Sequence, residues 1–294
     1  MPSKLCAITG ASGFVGSRLV GHLAAAGWQI RALSRSELIG AACAFTRSHF
    51  ELGEGVEADA LAGVDALVHL AYDFGATSWR DIVRVNVDGS LRLFAAARQA
   101  GVERVVLVSS VAAFPGARSL YGRAKLEIER AASGMGAAII RPGLVWGPRG
   151  GATFAALQRA VGRRQLVPLP VPPRTGLSLV HEDDLALLVE RVLERWPDGA
   201  GKLFVAACEQ PVAFADLLRS LGRRNDCPPR LVRVPWRVVW AGMRALELAG
   251  ARPPFRSDSL LSLVCADAQP LAHATASTER YGVVWRPYPL ALRC

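Results

Sequence analysis

Apolar residues in the first half of the chain fall into two alternating patterns. Short unbroken runs read as buried strands: Leu5-Cys6-Ala7-Ile8-Thr9, Trp28 to Leu33, Asp65 to Leu70, Val105 to Ser109 and Ala137 to Arg141. Between them, apolar residues recur at helical spacing from about Phe14 to Ala26, Trp79 to Ala100 and Tyr121 to Ser133. Gly27 and Gly101 close the first two helices. Residues 36–63 are weakly patterned, with one short strand near Phe50. Strands alternating with helices predict an α/β fold, a doubly wound parallel sheet of Rossmann type covered on both faces.

Past Gly147 the pattern loosens. Pro168 to Pro173 reads as a rigid loop, and Ser178-Leu179-Val180 as a strand rejoining the sheet edge, with a helix from Glu182 to Glu194 behind it. From about Ala207 the chain is Arg-rich and mainly helical, as expected for a smaller lobe over the carboxyl ends of the strands. The expected division is an α/β domain at 1–147, rejoined by 176–207, and a smaller lobe from 148–175 and 208–294. The stretch Trp236 to Arg244 is expected to be a lobe helix packed over the site rather than a membrane contact.

Composition narrows the class. Hydrophobic residues make up 51% of 294 and charged residues 20%, which suits a sizeable core and excludes disorder. Charged residues interrupt every apolar run well before a membrane-spanning length. The first strand begins at Leu5 with no leader pattern ahead of it, so a cytoplasmic protein is expected. The six cysteines, at 6, 43, 208, 227, 265 and 294, form no C-x-x-C pair, so neither a metal centre nor a redox dithiol is expected. The net charge of +10 comes from dispersed arginines. It reads as a solvated surface rather than a nucleic-acid site, with a few charges free for a phosphorylated ligand.

Three motifs carry chemistry. The first, Thr9-Gly10-Ala11-Ser12-Gly13-Phe14-Val15-Gly16, lies between a strand and a helix. Gly10 permits a tight turn, Gly13 lets backbone approach a pyrophosphate, and Gly16 allows close helix–strand packing, with helix N–H groups aimed at phosphate. The second is Ser34-Arg35 at the end of the second strand. An acidic residue there holds the ribose of NAD, whereas an Arg can hold a 2′-phosphate, so NADP(H) is favoured over NAD(H). The third is Ser109-Ser110 followed by Tyr121-Gly122-Arg123-Ala124-Lys125. Tyr121 and Lys125 share a helix face, and a nearby ammonium favours the phenolate, fitting Tyr121 for proton exchange with a hydroxyl or carbonyl.

With these motifs in this order, the chain resembles the extended, epimerase/dehydratase-like branch of the short-chain dehydrogenase/reductase superfamily. Further segments carry the resemblance: His69-Leu70-Ala71, Asn86-Val87-Asp88-Gly89, Arg141-Pro142-Gly143-Leu144-Val145-Trp146-Gly147-Pro148 and Val180-His181-Glu182-Asp183-Asp184-Leu185. The resemblance implies that Tyr121 is the acid/base, that Lys125 binds the nicotinamide ribose and lowers the Tyr121 pKa, and that Ser110 polarises the substrate oxygen. It makes Ser109 the supporting neighbour of Ser110, and puts Phe114 where a Tyr is common. Asn86 supports the site, Leu70 and Ala71 line the cofactor's path, and Pro142 and Val145 lie beside the nicotinamide. His69 and Asp184 are expected to be buried structural residues.

Departures from the nucleotide-sugar members narrow the substrate. Leu144 stands where they place an Asn, and Leu177 where they place an Arg, although Arg174 is near. The G-D-L segment after the third strand corresponds here to Leu52-Gly53-Glu54. The main expectation is an oxidoreductase acting on a small, fairly apolar carbonyl or secondary alcohol. A nucleotide-sugar epimerase or dehydratase with bound NAD is the alternative, and a non-catalytic nucleotide-sensing or assembly subunit is a third reading. A homodimer through helices 79–100 and 121–133 is expected.

Overall fold

A computed structural model of the chain describes residues 4–35, 45–148, 150–162, 166–171, 176–196, 198–223, 229–251, 253, 255–267 and 278–290. The first half runs β1 (Leu5–Thr9), α1 (Phe14–Ala25), β2 (Gln29–Ser34), β3 (Thr46–His49), β4 (Ala66–His69), α2 (Trp79–Ile82), α3 (Asp88–Gln99), β5 (Arg104–Val108), α4 (Leu120–Ser133) and β6 (Ala138–Pro142). The second half runs β7 (Leu144–Trp146), α5 (Ala152–Gly162), β8 (Leu166–Val171), β9 (Leu179–His181), α6 (Glu182–Glu194), β10 (Leu203–Ala206), α7 (Phe214–Arg223), β11 (Arg230–Pro235), α8 (Trp236–Leu248) and α9 (Ser257–Val264).

Seven strands form one parallel sheet in the order β10-β6-β5-β4-β1-β2-β3. From β1 the chain winds outward to β3, then crosses back to β4 on the other side of β1. That reversal opens a crevice at the carboxyl ends of the strands. Alternate side chains feed opposite faces. Ile8, Val68, Val106 and Ile140 pack with Leu19 and Leu23 of α1 and Leu188 of α6. Leu67, Leu107 and Ile139 pack with Leu93 and Phe94 of α3 and Ile128 of α4. Burial on both faces explains why these strands read as unbroken apolar runs. A third core, from Phe154 and Leu157 of α5 to Leu217 of α7 and Tyr288, builds the lobe.

The structure departs from expectation in four places. Pro168 to Val171 is no loop: β8 pairs in parallel with β11. Pro168 and Pro170 alternate, so both missing N–H groups face the same way, toward the open side that a two-stranded sheet leaves. Leu179–His181 pairs with β7 instead of the main sheet, and β10 takes the edge beside β6. The helix expected at 79–100 is interrupted by a π-wound turn at Val83–Val87 between α2 and α3. Finally, α8 packs on β8, β11 and α9 but buries none of its residues and lines no part of the cavity; α9 does that.

Among the described residues no helix is long and apolar enough to cross a membrane. Cys6, Cys208 and Cys265 are free thiols. Cys43, Cys227, Cys294 and Arg174 lie outside the described residues.

Candidate active site

At the crevice lies a cavity of about 1080 Å³, walled by the carboxyl ends of β1, β2, β4, β5 and β6 and closed by α9 and neighbouring lobe residues. The glycine turn forms one end. Gly10 has φ +67, and the Gly13 N–H donates to its carbonyl at 2.9 Å. A Cβ on Gly16 would collide with the Gly10 carbonyl oxygen, so the turn packs onto α1 only because no side chain is there. No side chain caps the N-terminus of α1, and its first turn holds no acid, so its N–H groups are free for a diphosphate. Gly10, Gly13, Phe14, Val15 and Gly16 all line the cavity, with Ser12, and so do Ser34, Arg35, Leu70, Ala71, Pro142 and Val145. This cradle fits a dinucleotide. The buried Ser109 hydroxyl, which also lines the cavity, has no hydrogen-bond partner among the described residues.

Ser110, Tyr121 and Lys125 converge on the same cavity. Ser110 lies close enough to Tyr121 for its hydroxyl to favour the phenolate, and Lys125 Nζ donates to the Val108 carbonyl at 3.1 Å. Burial pushes the Tyr121 phenol up to about 12, with the neighbouring Ser110 hydroxyl opposing and Glu129 adding to the rise. Burial also pushes the Lys125 ammonium down to about 8, against the attraction of Glu129. The expected lowering of the Tyr121 pKa by Lys125 is therefore absent here: desolvation dominates both groups. Glu129 itself is held by a buried bidentate pair with Arg141, at 2.9 and 2.6 Å.

Two aromatic rings frame Tyr121. Tyr72 meets it edge-on at 5.0 Å and Phe74 stacks at 5.8 Å. Asn86 is not in the cavity wall. Sitting in the π-wound turn, its Oδ1 accepts from the Asp73 N–H at 2.6 Å and its Nδ2 donates to the Asp73 carbonyl at 3.0 Å, so it latches the loop carrying those rings. His69 is a structural residue. Ser90 Oγ donates to the Asn86 carbonyl, so it accepts from His69 Nε2, and Nδ1 accepts from the Thr9 hydroxyl at 2.7 Å. Burial pushes this imidazole down to about 3, keeping it neutral. Asp184 is likewise structural, bound by the Arg286 backbone N–H and side chain.

The start of α4 is fixed from the lobe. Asp258 of α9 accepts from the N–H groups of Leu120, at 2.7 Å, and Tyr121, at 3.1 Å, while Ser119 Oγ accepts from Gly122 N–H. No local signal marks Asp258, which is 137 residues from Tyr121. Glu51 was also missed. The acidic residue lining the cavity after β3 is Glu51, between Phe50 and Leu52, so the segment is Phe50-Glu51-Leu52 and starts two residues earlier than Leu52-Gly53-Glu54. Leu144 and Leu177 line the cavity as expected, with Leu157, Phe214, Phe255 and Leu263 beside them.

Residues 6–206 match the model of the NAD dependent epimerase/dehydratase family. The ceramide reductase of Caulobacter vibrioides is 32% identical over 253 residues, 78% of this chain and 73% of that protein. Among solved structures, gox2253 superposes with a TM-score of 0.73 at 23% identity, covering 97% of this chain and 94% of that one. MoeE5 in complex with UDP-glucose and NAD superposes at 0.67 and 24%, covering 78% and 85%.

The expectation of NADP(H) from Arg35 is corrected. MoeE5 was solved with NAD. In this chain the Arg35 guanidinium meets the Glu51 carboxylate at 3.5 Å. A 2′-phosphate approaching Arg35 would meet that acid as well, so the cation does not make a phosphate site. Sequence match and fold agree: the chain belongs to the NAD-dependent epimerase/dehydratase family.

Proposed function

We propose that the chain is an NAD(H)-dependent oxidoreductase that interconverts a ketone and a secondary alcohol on an uncharged, largely apolar substrate. The observation that carries this reading is the apolar part of the cavity that Tyr121 also lines. Leu144, Leu157, Leu177, Phe214, Phe255 and Leu263 line the substrate end of the cavity. A diphosphate placed against these six side chains would lose water and gain no hydrogen bond from them, a cost of several kcal/mol; Arg256, the lobe arginine that lines the cavity among the described residues, already donates to the Phe74 carbonyl at 3.3 Å. The ceramide reductase relative, named for a reduction, supports the same class of reaction.

In this reading residues 1–147 with 176–207 hold the dinucleotide, and 148–175 with 208–294 hold the substrate. The dinucleotide supplies or accepts the hydride. Tyr121, protonated at neutral pH, gives its phenol proton to the carbonyl oxygen during reduction and takes it back during oxidation. Ser110 donates a hydrogen bond to the same oxygen. Lys125 orients the ribose. The Glu51 carboxylate, two residues past β3, lines the cavity beside Arg35 and would meet the adenosine end of a bound dinucleotide. The chain acts as a homodimer through α2–α3 and α4, a reading supported by Leu91, exposed on α3.

NADH oxidation measured against medium- and long-chain ketones tests the assignment. Saturable turnover that disappears in Tyr121→Phe is expected, and no turnover with any ketone or alcohol overturns it. The family model and the fold shared with MoeE5 favour a second reading, a nucleotide-sugar epimerase or dehydratase. Micromolar binding of UDP-glucose by the purified protein would establish it.

A further inference from the structure

Eight large apolar side chains are well exposed among the described residues, and five of them, Leu166, Val232, Val238, Leu246 and Leu248, belong to β8, β11 and α8. These three elements pack on one another in the lobe. On α8 the helical period separates two faces. Trp236, Val239, Trp240, Met243 and Glu247 recur at spacings of three and four and are half-buried. The opposite face carries Val238, Ala241, Gly242, Ala245 and Leu248, all exposed and all uncharged. A helix whose outward stripe is apolar is built to meet a second nonpolar phase.

The charges around this stripe identify that phase. Arg230 and Arg233 of β11 and Arg237 and Arg244 of α8 are exposed. The only acidic residue in β8, β11 or α8 is Glu247. Its carboxylate is occupied by the Ser257 N–H and hydroxyl at 2.8 and 2.7 Å, and these bonds, with Arg256 and Arg244 beside it, hold it below the usual carboxylate range. The surface is therefore apolar and cationic. A second copy of the chain is a poor partner, because a two-fold contact would set these arginines against themselves. With 13 residues, α8 is too short to span a bilayer but long enough to lie in its interface.

We propose that the outer face of α8, flanked by the β8–β11 ribbon, docks on the headgroup layer of an anionic lipid bilayer. Val238 and Leu248 enter the acyl boundary, and the arginines meet lipid phosphates. On its inner side α8 packs on α9, which lines the cavity, so docking brings the substrate lobe to the surface where apolar molecules collect. The proposal stands whichever substrate the cavity takes.

Flotation with vesicles of equal parts phosphatidylcholine and phosphatidylglycerol tests it, beside vesicles of phosphatidylcholine alone. The full chain is expected to float with the anionic vesicles, at least about fivefold more strongly than with the neutral ones, and to be released by salt. Val238→Asp/Leu248→Asp and Arg233→Glu/Arg237→Glu should each lower partitioning about tenfold or more. Circular dichroism checks that each variant is folded, and the arginine pair stands alone if the apolar pair does not fold. Failure of the wild type to float with anionic vesicles overturns the proposal. So does flotation untouched by the arginine substitutions. Light scattering that shows a dimer split by Val238→Asp/Leu248→Asp, with no vesicle binding, assigns the face to a second copy and overturns it equally.

Discussion

Asp258 holds Tyr121 by its backbone: one carboxylate spans the N–H groups of Leu120 and Tyr121, at 2.7 and 3.1 Å, from a helix in the other lobe. The acid sits at the positive end of α4 and satisfies two donors that the helix leaves open. The side chain meant to transfer a proton thus starts its helix at a point fixed by the lobe that binds substrate.

Replacing that acid separates positioning from chemistry. Asp258→Ala should lower stability by about 1–3 kcal/mol, the range for losing hydrogen bonds to a charged group. It should lower kcat for the ketone more than it weakens NADH binding, because the glycine turn is untouched. Asp258→Asn, which keeps one acceptor, should recover part of the loss. Thermal unfolding and steady-state kinetics measure both, and an unchanged kcat in Asp258→Ala rules out the positioning role.

The state of the Tyr121 phenol sets the pH dependence. With its pKa raised to about 12, it stays protonated through the neutral range, so reduction should hold its rate well into alkaline pH. Oxidation needs the phenolate and should accelerate as pH rises toward that value. Ser110→Ala removes the one contact that lowers this pKa and should move the oxidation profile further alkaline. Tyr121→Phe should lose about a hundredfold or more in kcat in both directions. A neutral-pH maximum in oxidation, unmoved by Ser110→Ala, would show that another group carries the proton.

Lys125 should leave a signature in stability. Its folded pKa, about 8, lies below the ordinary value of 10.5, so between those values the unfolded chain binds the extra proton. Stability therefore rises with pH across that window, and below about 8 the full cost of burying the ammonium is present. Lys125→Met should flatten this segment of the curve. Denaturant unfolding of wild type and variant from pH 7 to 11 is the measurement, and a rise of equal size in both disconnects it from Lys125.

Glu51 should govern the dinucleotide. NADH is expected to bind more tightly than NADPH, and Glu51→Gln, by freeing Arg35 and removing a charge that opposes phosphate, should narrow the gap by about tenfold, near 1.4 kcal/mol. Isothermal titration that finds NADPH the tighter ligand of the wild type would refute the role given to Glu51.

Features set by neighbours in sequence were legible from it. Gly10, Gly13 and Gly16 mark one turn and the helix that follows it, Tyr121 and Lys125 lie on one face, and β1, β2, β4, β5 and β6 read as apolar runs, whereas the polar β3 does not. Features set by distant contacts were not. Arg35 suggested a phosphate site because nothing local says that Glu51, sixteen positions on, turns its carboxylate to it. Asp258 carries no motif at all. The helix at Trp236 was legible as a lobe helix, but which of its stripes is covered, and that it lines no part of the cavity, depends on its packing against β8, β11 and α9. In β8 two prolines argued for a loop, and only pairing with β11 makes them tolerable. The three-residue β9 and the four-residue β10 present equally short apolar runs, so choosing between them for the sheet edge needed tertiary structure.

The edge position of β10 has a consequence for how the molecule is made. Its partner β6 ends at Pro142, yet β10 begins at Leu203, and α6, which covers α1, begins at Glu182. A chain emerging from the ribosome therefore carries its glycine turn, Tyr121 and Lys125 before the β6 edge is paired or α1 is covered. During that interval the β6 edge is open to other strands, and the apolar side of α1 is open to chaperones. A chain halted after Trp146 would hold nearly every residue of the catalytic set and still be a candidate for aggregation, because β6 gains its outer partner only when translation passes Ala206.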